Sequence, residues 1–139
     1  MEHNPSRFLE EQVDGKALVL IVDDDPSHCK MMELMARKLG LKTHSVPSCG
    51  EALDALNMFS FDAILMDCRM PEVDGCACAK LIRQRGGVYS DIPIIAVTAD
   101  IFDERPQRCL DAGMNDVLSK PFILSQMQEK LRRWLQVKI

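Results

Sequence analysis

The sequence predicts a doubly wound α/β fold, in which helices cover both faces of a five-stranded parallel sheet. Continuous apolar runs at residues 17–22, 63–66 and 92–97 are typical of strands that are buried on both sides. Segments with the apolar spacing of helices alternate with these runs, which favours parallel strands joined by helical crossovers. Each run is followed by polar residues, as expected where a parallel sheet presents a ligand site at its carboxyl edge.

The composition indicates one soluble domain and excludes several classes of function. The chain has 139 residues, of which 47% are hydrophobic and 27% charged, enough for one core. A net charge of −4 without a basic run argues against direct binding of nucleic acid. No segment has the roughly eighteen apolar residues of a membrane span, and the polar residues 1–16 contain no secretory signal. We expect a cytoplasmic domain at residues 17–139 behind a flexible lead-in.

The six cysteines show no metal-ligand spacing. The closest two, Cys76 and Cys78, are separated by one residue, which is poor spacing for zinc. We predict that all six are reduced and act mainly as small core residues rather than as a metal site. The three histidines lie far apart in sequence and suggest no ligand set. The cysteines are Cys29, Cys49, Cys68, Cys76, Cys78 and Cys109.

The first strand, residues 17–22, is followed by an acidic turn. Asp25 suits the N-cap of a helix at about 26–39, because a proline follows it at the first helical position. Asp23 and Asp24 have no such local role. Adjacent acids at the end of a buried strand repel one another and are costly to desolvate, so these two indicate a site.

The helix at 26–39 has more apolar surface than a core contact requires. Its apolar residues cover an arc of roughly 160°, whereas a core-facing stripe needs roughly 100°. The surplus is either a docking surface or part of a broad, methionine-filled core contact, and the sequence leaves both open. The arc consists of Cys29, Met31, Met32, Met35, Ala36 and Leu39.

The middle of the chain predicts an edge strand, a helix and a central strand. Polar residues within 42–46 suit a sheet edge. Ser48 and Glu51 form a capping box that begins the next helix, which ends near residue 59. The apolar run at 63–66 then leads directly into the segment that carries Asp67.

The last part of the chain continues the alternation. Gly75 allows a turn into a helix at about 76–85, and residues 86–91 form a loop. The run at 92–97 predicts a strand, and a helix capped by Asp103 follows and ends at Gly113. A brief strand at 116–118 precedes the final helix. The apolar face of that helix contains Leu124, Met127, Leu131, Trp134 and Leu135.

Polar residues of complementary type follow four of the predicted strands: Asp23 with Asp24, Asp67, Thr98 and Lys120. Because the carboxyl ends of parallel strands converge beside the topological switch point, we expect these side chains in one crevice. Three carboxylates there would repel one another strongly, so they need a cation or a proton to coexist. Hard oxygen ligands with positions left for water and a phosphate oxygen suit Mg²⁺.

Such a site is suited to receive a phosphoryl group. The metal and Lys120 would offset the charge on the phosphoryl oxygens while one carboxylate attacks in line. Asp67 is the best candidate for the nucleophile because it ends a central strand alone. Asp23 and Asp24 come as a pair and are better suited to hold the metal.

Four motifs within residues 17–137 together resemble the receiver (response regulator) domain of two-component signalling. They are Val22-Asp23-Asp24-Asp25-Pro26, Asp67-x-x-Met70-Pro71-x-x-x-Gly75, Thr98-Ala99 and Lys120-Pro121-Phe122. The resemblance implies a flavodoxin-like sheet with the strand order 2-1-3-4-5. It also implies Mg²⁺ as the cofactor, with Mn²⁺ as a substitute. The domain would not be an enzyme in the usual sense, since it would catalyse only its own phosphorylation and dephosphorylation.

The resemblance assigns roles at the acidic site. Asp67 would accept the phosphoryl group from a phosphohistidine. Asp24 would hold Mg²⁺, Asp23 would act mainly through water, and the backbone carbonyl of Arg69 would complete the protein ligands together with Asp67. The Arg69 side chain, two residues after the acceptor, could also screen the attacking water and alter hydrolysis.

The same resemblance assigns roles to the ends of the last two strands. Thr98 and Lys120 would bind phosphoryl oxygens, and Ala99 is small enough to leave room for them. Lys120-Pro121 would be a cis peptide. Thr98, Ala99 and Val117 would form the switch, but Val117 stands where receivers usually carry Tyr or Phe. We therefore expect the aromatic-coupled conformational change of many receivers to be altered in this chain.

The run at residues 112–121 resembles receivers attached to hybrid histidine kinases, which exchange phosphate with a histidine phosphotransfer protein. The implied partner is a histidine kinase or such a phosphotransfer protein, and the implied state is a monomer or weak dimer. The sequence identifies neither the donor nor the output. It also does not decide between a stand-alone receiver and part of a longer kinase.

Other functions fit the residues less well. A haloacid dehalogenase phosphatase needs a second aspartate two residues after the nucleophile, where this chain has Arg69. A nucleotide-binding enzyme needs a glycine-rich loop after the first strand, and none is present. The open alternative is a receiver-like interaction module that works without phosphorylation. The presence of Asp24, Asp67, Thr98 and Lys120 favours the phosphoacceptor.

Overall fold

A computed structural model describes residues 16–99 and 105–135 of the chain. Its five parallel strands form one sheet in the order β2-β1-β3-β4-β5, which confirms the predicted fold class. The chain moves to one side of β1 to form β2 and to the other side for β3, so the switch point lies between β1 and β3. The strands are β1 Leu18–Val22, β2 Lys42–Val46, β3 Ala63–Asp67, β4 Ile94–Thr98 and β5 Asp116–Ser119.

Helices cover both faces of this sheet. The first and last helices pack on one face, and the three helices between them pack on the other. A short 3-10 turn at Gly87–Ser90 lies within the segment that the sequence indicated as a loop. The α-helices are α1 Pro26–Lys38, α2 Cys49–Met58, α3 Gly75–Gln84, α4 Arg105–Asp111 and α5 Leu124–Leu135. No helix among the described residues is long and apolar enough to cross a bilayer.

Two helices begin at the capping residues that the sequence predicted. The Asp25 side chain accepts a hydrogen bond from the backbone N–H of Ser27 at 2.9 Å and caps α1. Ser48 likewise accepts from the backbone N–H of Glu51 at 3.2 Å and caps α2. Gly113 follows α4 with a φ of 104°, a conformation that glycine adopts without steric cost. The predicted cap Asp103 lies outside the described residues.

The core is divided into two clusters by the sheet. Every residue of β1, β3 and β4 is buried, as their continuous apolar character predicted. Successive side chains point to opposite faces, so Leu20 and Ile64 join the cluster under α2, α3 and α4. Ile21 and Leu65 join the cluster under α1 and α5. These rigid central strands hold the site that follows them.

The apolar arc of α1 is only partly used by the core. Met32 and Ala36 are fully buried, whereas the Met31 residue keeps 37% of its surface exposed and Leu34 keeps 44%. The core contact and the surplus surface therefore both exist on this helix.

The prediction that all six cysteines are reduced is wrong for one pair. Cys49 at the start of α2 and Cys78 in α3 form a disulfide, with their Cα atoms 5.6 Å apart. Both helices lie on the same face of the sheet and bring the two side chains together, which a separation of 29 residues did not indicate. The other cysteines are buried core residues, as predicted: Cys29, Cys68, Cys76 and Cys109.

Arg83 in α3 connects the helix to the beginnings of β4 and β5. Its guanidinium donates hydrogen bonds to the carbonyl oxygen of Gly113, at 2.8 and 3.0 Å, and to that of Ile92 at 2.7 Å. It also donates to the carbonyl of Tyr89 and to the Asn115 side chain. The sequence contained no signal for this cluster of contacts, because its acceptors are mostly backbone carbonyls.

Candidate functional site

Three carboxylates meet at the switch point of the sheet. Asp23 and Asp24 follow β1, and Asp67 is the last residue of β3. Each contributes an oxygen to a group in which all the oxygens lie within 4.8 Å of one another, and no other potential metal-ligand group occurs among the described residues. Asp23 and Asp67 are buried, while Asp24 is exposed. The three carboxylates at the ends of β1 and β3 therefore lie close together, as expected for converging strand ends.

Local backbone turns orient two of these carboxylates. Asp23 Oδ1 accepts a hydrogen bond from the backbone N–H of Asp25 at 2.9 Å. Asp67 Oδ1 accepts one from the backbone N–H of Arg69 at 3.2 Å. Both are turns in which an aspartate binds the backbone two residues later, a conformation that short acidic side chains favour. The acids are thus held by the chain that immediately follows them.

Gly75 shapes the loop that follows Asp67. A Cβ atom at this position would lie 2.4 Å from the Asp67 carbonyl oxygen and 2.9 Å from the Cα of Cys68. The Gly75 N–H donates to the Cys68 carbonyl at 3.1 Å and closes the loop. Glycine is therefore required here by close approach of the backbone, which is the physical basis of the spacing in the sequence motif.

Burial among the acids raises the pKa of Asp67 to about 6. Burial is the largest cause, and the neighbouring charge of Asp23 adds to it, with a smaller contribution from Asp24. The hydrogen bond from Arg69 and the positive charge of Lys120 act in the opposite direction. The site therefore carries an unfavourable excess of negative charge that a cation would relieve.

Lys120 supplies a positive charge at this site. Its Nζ lies 3.5 Å from Asp23 Oδ2 and 3.8 Å from Asp67 Oδ1. The preceding strand β5 delivers it, and the backbone N–H of Lys120 donates to the Thr98 carbonyl at 2.8 Å. The Lys120-Pro121 bond is cis, as predicted. Sequence reasoning thus placed the lysine correctly.

The predicted switch residues lie at the ends of the last two strands. Thr98 ends β4, is buried, and pairs with Ser119 of β5. Since Asp67 pairs with Val97, Thr98 lies one residue beyond the level of Asp67 at the same sheet edge. Ala99 is exposed. Val117 is half-buried and packs against the core under α2, α3 and α4.

One residue beside the acids was missed from the sequence. His28, in the first turn of α1, has Nδ1 at 3.0 Å from Lys120 Nζ and 3.5 Å from Asp23 Oδ2. Its Nε2 lies 3.4 Å from Asp25 Oδ2. A usable signal existed, because residues three apart on a helix are neighbours and Asp25 immediately precedes α1.

The donor set fits Mg²⁺. Carboxylate oxygens are the hard ligands that this ion prefers, and two buried acids with one exposed acid leave the site open on one side. The place of the Arg69 carbonyl among the ligands stays a prediction.

Fold and site together define a doubly wound domain with three carboxylates and a lysine at the switch point of its sheet. The model of the family described as the response regulator receiver domain matches residues 19–132. The chain belongs to this family, and the curated relatives that it matches include hybrid histidine kinases.

Curated proteins are also similar to this chain in sequence. The hybrid signal transduction histidine kinase L of Dictyostelium discoideum is 36% identical over 138 residues, which are 96% of this chain and 8% of that protein. The sensor histidine kinase RcsC of Salmonella typhi is 36% identical over 82% of this chain and 12% of its own length. The chain therefore spans a small part of the relatives it matches.

Solved structures agree in fold. The receiver domain of the sensor histidine kinase PA1611 of Pseudomonas aeruginosa PAO1 is 37% identical, with a TM-score of 0.81 over 88% of this chain and 99% of that one. Its crystal structure holds a magnesium ion in the active-site cleft. The chemotaxis protein CheY4 of Vibrio cholerae is 29% identical, with a TM-score of 0.81 over 86% of this chain and 99% of its own.

Proposed function

We propose that Asp67 accepts a phosphoryl group from a phosphohistidine of a histidine kinase or histidine phosphotransfer protein. The observation that carries this proposal is the grouping of Asp67 with two other carboxylates and with the Lys120 ammonium, 3.8 Å from Asp67 Oδ1. An acceptor of phosphate needs this combination of a nucleophile, a metal-binding set and a positive charge for the phosphoryl oxygens.

The group transfer would take place at one Asp67 carboxylate oxygen. That oxygen attacks phosphorus in line, an O–P bond forms, and the N–P bond to the donor histidine breaks. The donor imidazole keeps the electron pair of that bond and takes up a proton. Asp23 Oδ2 lies 3.5 Å from both His28 Nδ1 and Lys120 Nζ, whereas Asp67 Oδ1 lies 3.8 Å from Lys120 Nζ, so Asp67 is better suited to this attack.

The remaining residues would bind the metal and the phosphoryl oxygens. Asp23, Asp24, Asp67 and the Arg69 carbonyl would hold Mg²⁺, and Mn²⁺ could replace it. When bound, the metal would supply positive charge against both the carboxylates and the transferring oxygens. Lys120 would donate to one phosphoryl oxygen, and Thr98 would donate to another from the end of β4. The same residues would support loss of the phosphoryl group to water.

The conformational response would begin at Thr98. A hydroxyl drawn toward the phosphoryl group would shift the end of β4 and the adjoining Ala99. Val117 is too small to reproduce the movement of an aromatic ring in and out of the core, so the output would depend on the backbone near these strands. We assign residues 17–139 to this phosphoacceptor domain.

The partner surface would be the exposed apolar part of α1. Met31, Leu34, Met35 and Leu124 line an open groove of about 420 Å³ between α1 and the beginning of α5, and Lys30 and Lys38 border it. This groove lies on the helix that begins directly after the acids. A helical phosphotransfer protein with acidic residues around an apolar patch fits this surface by charge and by polarity.

The decisive experiment is the intact mass of the chain after incubation with acetyl phosphate and Mg²⁺. We expect the natural chain to gain one phosphoryl group, and we expect Asp67→Asn to gain none. Asp54→Asn is the matched control, since it makes the same change at an exposed position of α2. If the natural chain gains no mass and binds no Mg²⁺, the domain works as a phosphorylation-independent interaction module.

A further inference from the structure

His28 contacts the positive charge of the acidic site more closely than either carboxylate does. The distance from Lys120 Nζ to His28 Nδ1 is 3.0 Å, against 3.5 Å to Asp23 Oδ2 and 3.8 Å to Asp67 Oδ1. His28 also lies at the rim, with 42% of its side chain exposed. The lysine therefore has its shortest side-chain contact with a residue outside the acidic group.

The chemistry of the two groups determines the direction of this contact. A lysine ammonium has three donors and no acceptor, so Nδ1 of His28 must accept the hydrogen bond from Lys120. The ring proton is then on Nε2. That nitrogen lies 3.4 Å from Asp25 Oδ2, a carboxylate oxygen that can accept from it. Asp25, His28 and Lys120 thus form a chain of contacts that leads into the site.

We propose that His28 is a positioning residue for phosphoryl transfer, whose Nδ1 accepts from the Lys120 ammonium and holds it toward the acceptor. The proposal rests on the proposed function of Asp67. One ammonium hydrogen is directed to His28, which leaves two for the carboxylates and for a phosphoryl oxygen. The long lysine side chain loses freedom before the donor arrives, so less ordering is needed during the reaction.

The chain allows a test by matched substitutions. His28→Asn places an amide oxygen at the same number of bonds from Cβ as Nδ1 and so retains the acceptor. His28→Ala removes it. His44→Ala serves as the control, because His44 is also exposed but lies on β2, where its ring packs against Phe59 with centroids 5.5 Å apart and planes inclined by 46°. Thermal unfolding of each variant shows that the fold is retained.

The first measurement is the rate of Asp67 phosphorylation by acetyl phosphate at saturating Mg²⁺, at about pH 8 where ordinary imidazole groups are neutral. We expect His28→Ala to lower the limiting rate by about tenfold, while the Kd for Mg²⁺ changes by less than about twofold. We expect His28→Asn and His44→Ala to remain within about twofold of the natural chain. Equal rates for His28→Ala and the natural chain, or equally slow His28→Asn and His28→Ala, would overturn the proposal.

The second measurement does not need phosphorylation. The ¹⁵N spectrum of the imidazole groups should show His28 as the neutral form protonated on Nε2, and Lys120→Met should shift the Nδ1 resonance. A proton on Nδ1, or a resonance that Lys120→Met leaves unchanged, contradicts the proposal. If the natural chain accepts no phosphoryl group, the proposed function fails and the part of His28 in the reaction fails with it. The spectrum separates that result from a missing contact between His28 and Lys120.

Discussion

At the scale of single residues, Asp67 combines a functional position with a cost in stability. It is buried beside Asp23, and burial with this neighbouring charge raises its pKa. Removing one of the negative charges should therefore stabilise the metal-free fold. We expect Asp67→Asn to raise the free energy of unfolding by about 1 kcal/mol in urea with EDTA. Asp54→Asn should leave it unchanged, and a destabilised Asp67→Asn would contradict this account of the site.

Arg83 donates hydrogen bonds to several backbone carbonyls at once. Its guanidinium donates to the carbonyls of Tyr89, Ile92 and Gly113, so replacing it leaves several partly buried acceptors without a donor. We expect Arg83→Met to lower the free energy of unfolding by about 2 to 3 kcal/mol. Lys80→Met, an exposed position on the same helix, is the control and should change it by less than about 0.5 kcal/mol. Similar losses for both variants would show that the contacts of Arg83 are not what matters.

At the scale of elements, α1 has two apolar faces, one buried and one exposed. Met32 packs in the core, while Met31 and Leu34 remain exposed. If the exposed face receives the protein donor, Met31→Gln with Leu34→Gln should reduce phosphotransfer from a phosphorylated histidine phosphotransfer protein by about tenfold. Phosphorylation by acetyl phosphate, which needs no docking, should be unchanged.

The control for this surface is Leu110→Gln, because Leu110 lies on α4 with a similar exposed fraction, 42%. It should leave both reactions unchanged. A loss of transfer from the protein donor in Leu110→Gln, but not in the α1 variant, would place the docking surface elsewhere.

The element α5 is attached to β5 through Asp116. Burial acts to raise the pKa of Asp116, but hydrogen bonds from Trp134 and Lys130, both at 2.9 Å, outweigh it and lower the pKa. A pKa that is lower in the folded state stabilises the fold above the unfolded-state value of about 4. This stabilisation is lost as the pH falls through the folded-state pKa.

We therefore expect Asp116→Asn to lower the free energy of unfolding by about 1 to 2 kcal/mol at about pH 7. The difference from the natural chain should shrink as the pH falls from about 4, where the unfolded chain takes up the proton, through the lower folded-state pKa. Urea denaturation across the pH range measures this. If the difference in unfolding free energy between the two chains stays constant with pH, the loss comes from changed packing and not from the charge of Asp116.

At the scale of the whole molecule, metal binding should couple to folding. The ligand set exists only when β1 and β3 are paired, since these strands bring Asp23, Asp24 and Asp67 together. A ligand that binds only the folded state stabilises it by about 2.7 kcal/mol at about 100 times its Kd. We expect Mg²⁺ to raise the urea midpoint of the natural chain and to raise that of Asp24→Asn much less. An equal rise in both variants would mean that Mg²⁺ acts elsewhere.

Much of the fold was predictable because its signals are local. The buried strands are continuous apolar runs, and the caps at Asp25 and Ser48 depend on residues within three positions. Where the structure departs from expectation, the contacts are distant in sequence. The disulfide between Cys49 and Cys78 depends on how α2 and α3 pack. The 3-10 turn at Gly87–Ser90 lies just before Ile92, whose carbonyl accepts a hydrogen bond from Arg83.

The sequence by itself determined the succession of strands and helices along the chain and the polar residue types at the strand ends. It could do so because buried parallel strands are continuous apolar runs and the acids follow them directly. It also indicated the surplus apolar surface of α1. Only the tertiary structure decided which groups surround the Lys120 ammonium, and it added His28, which is 92 residues away in sequence. Hydrogen bonds between side chains on separate elements depend on distances of a few tenths of an ångström, which the packing of those elements sets.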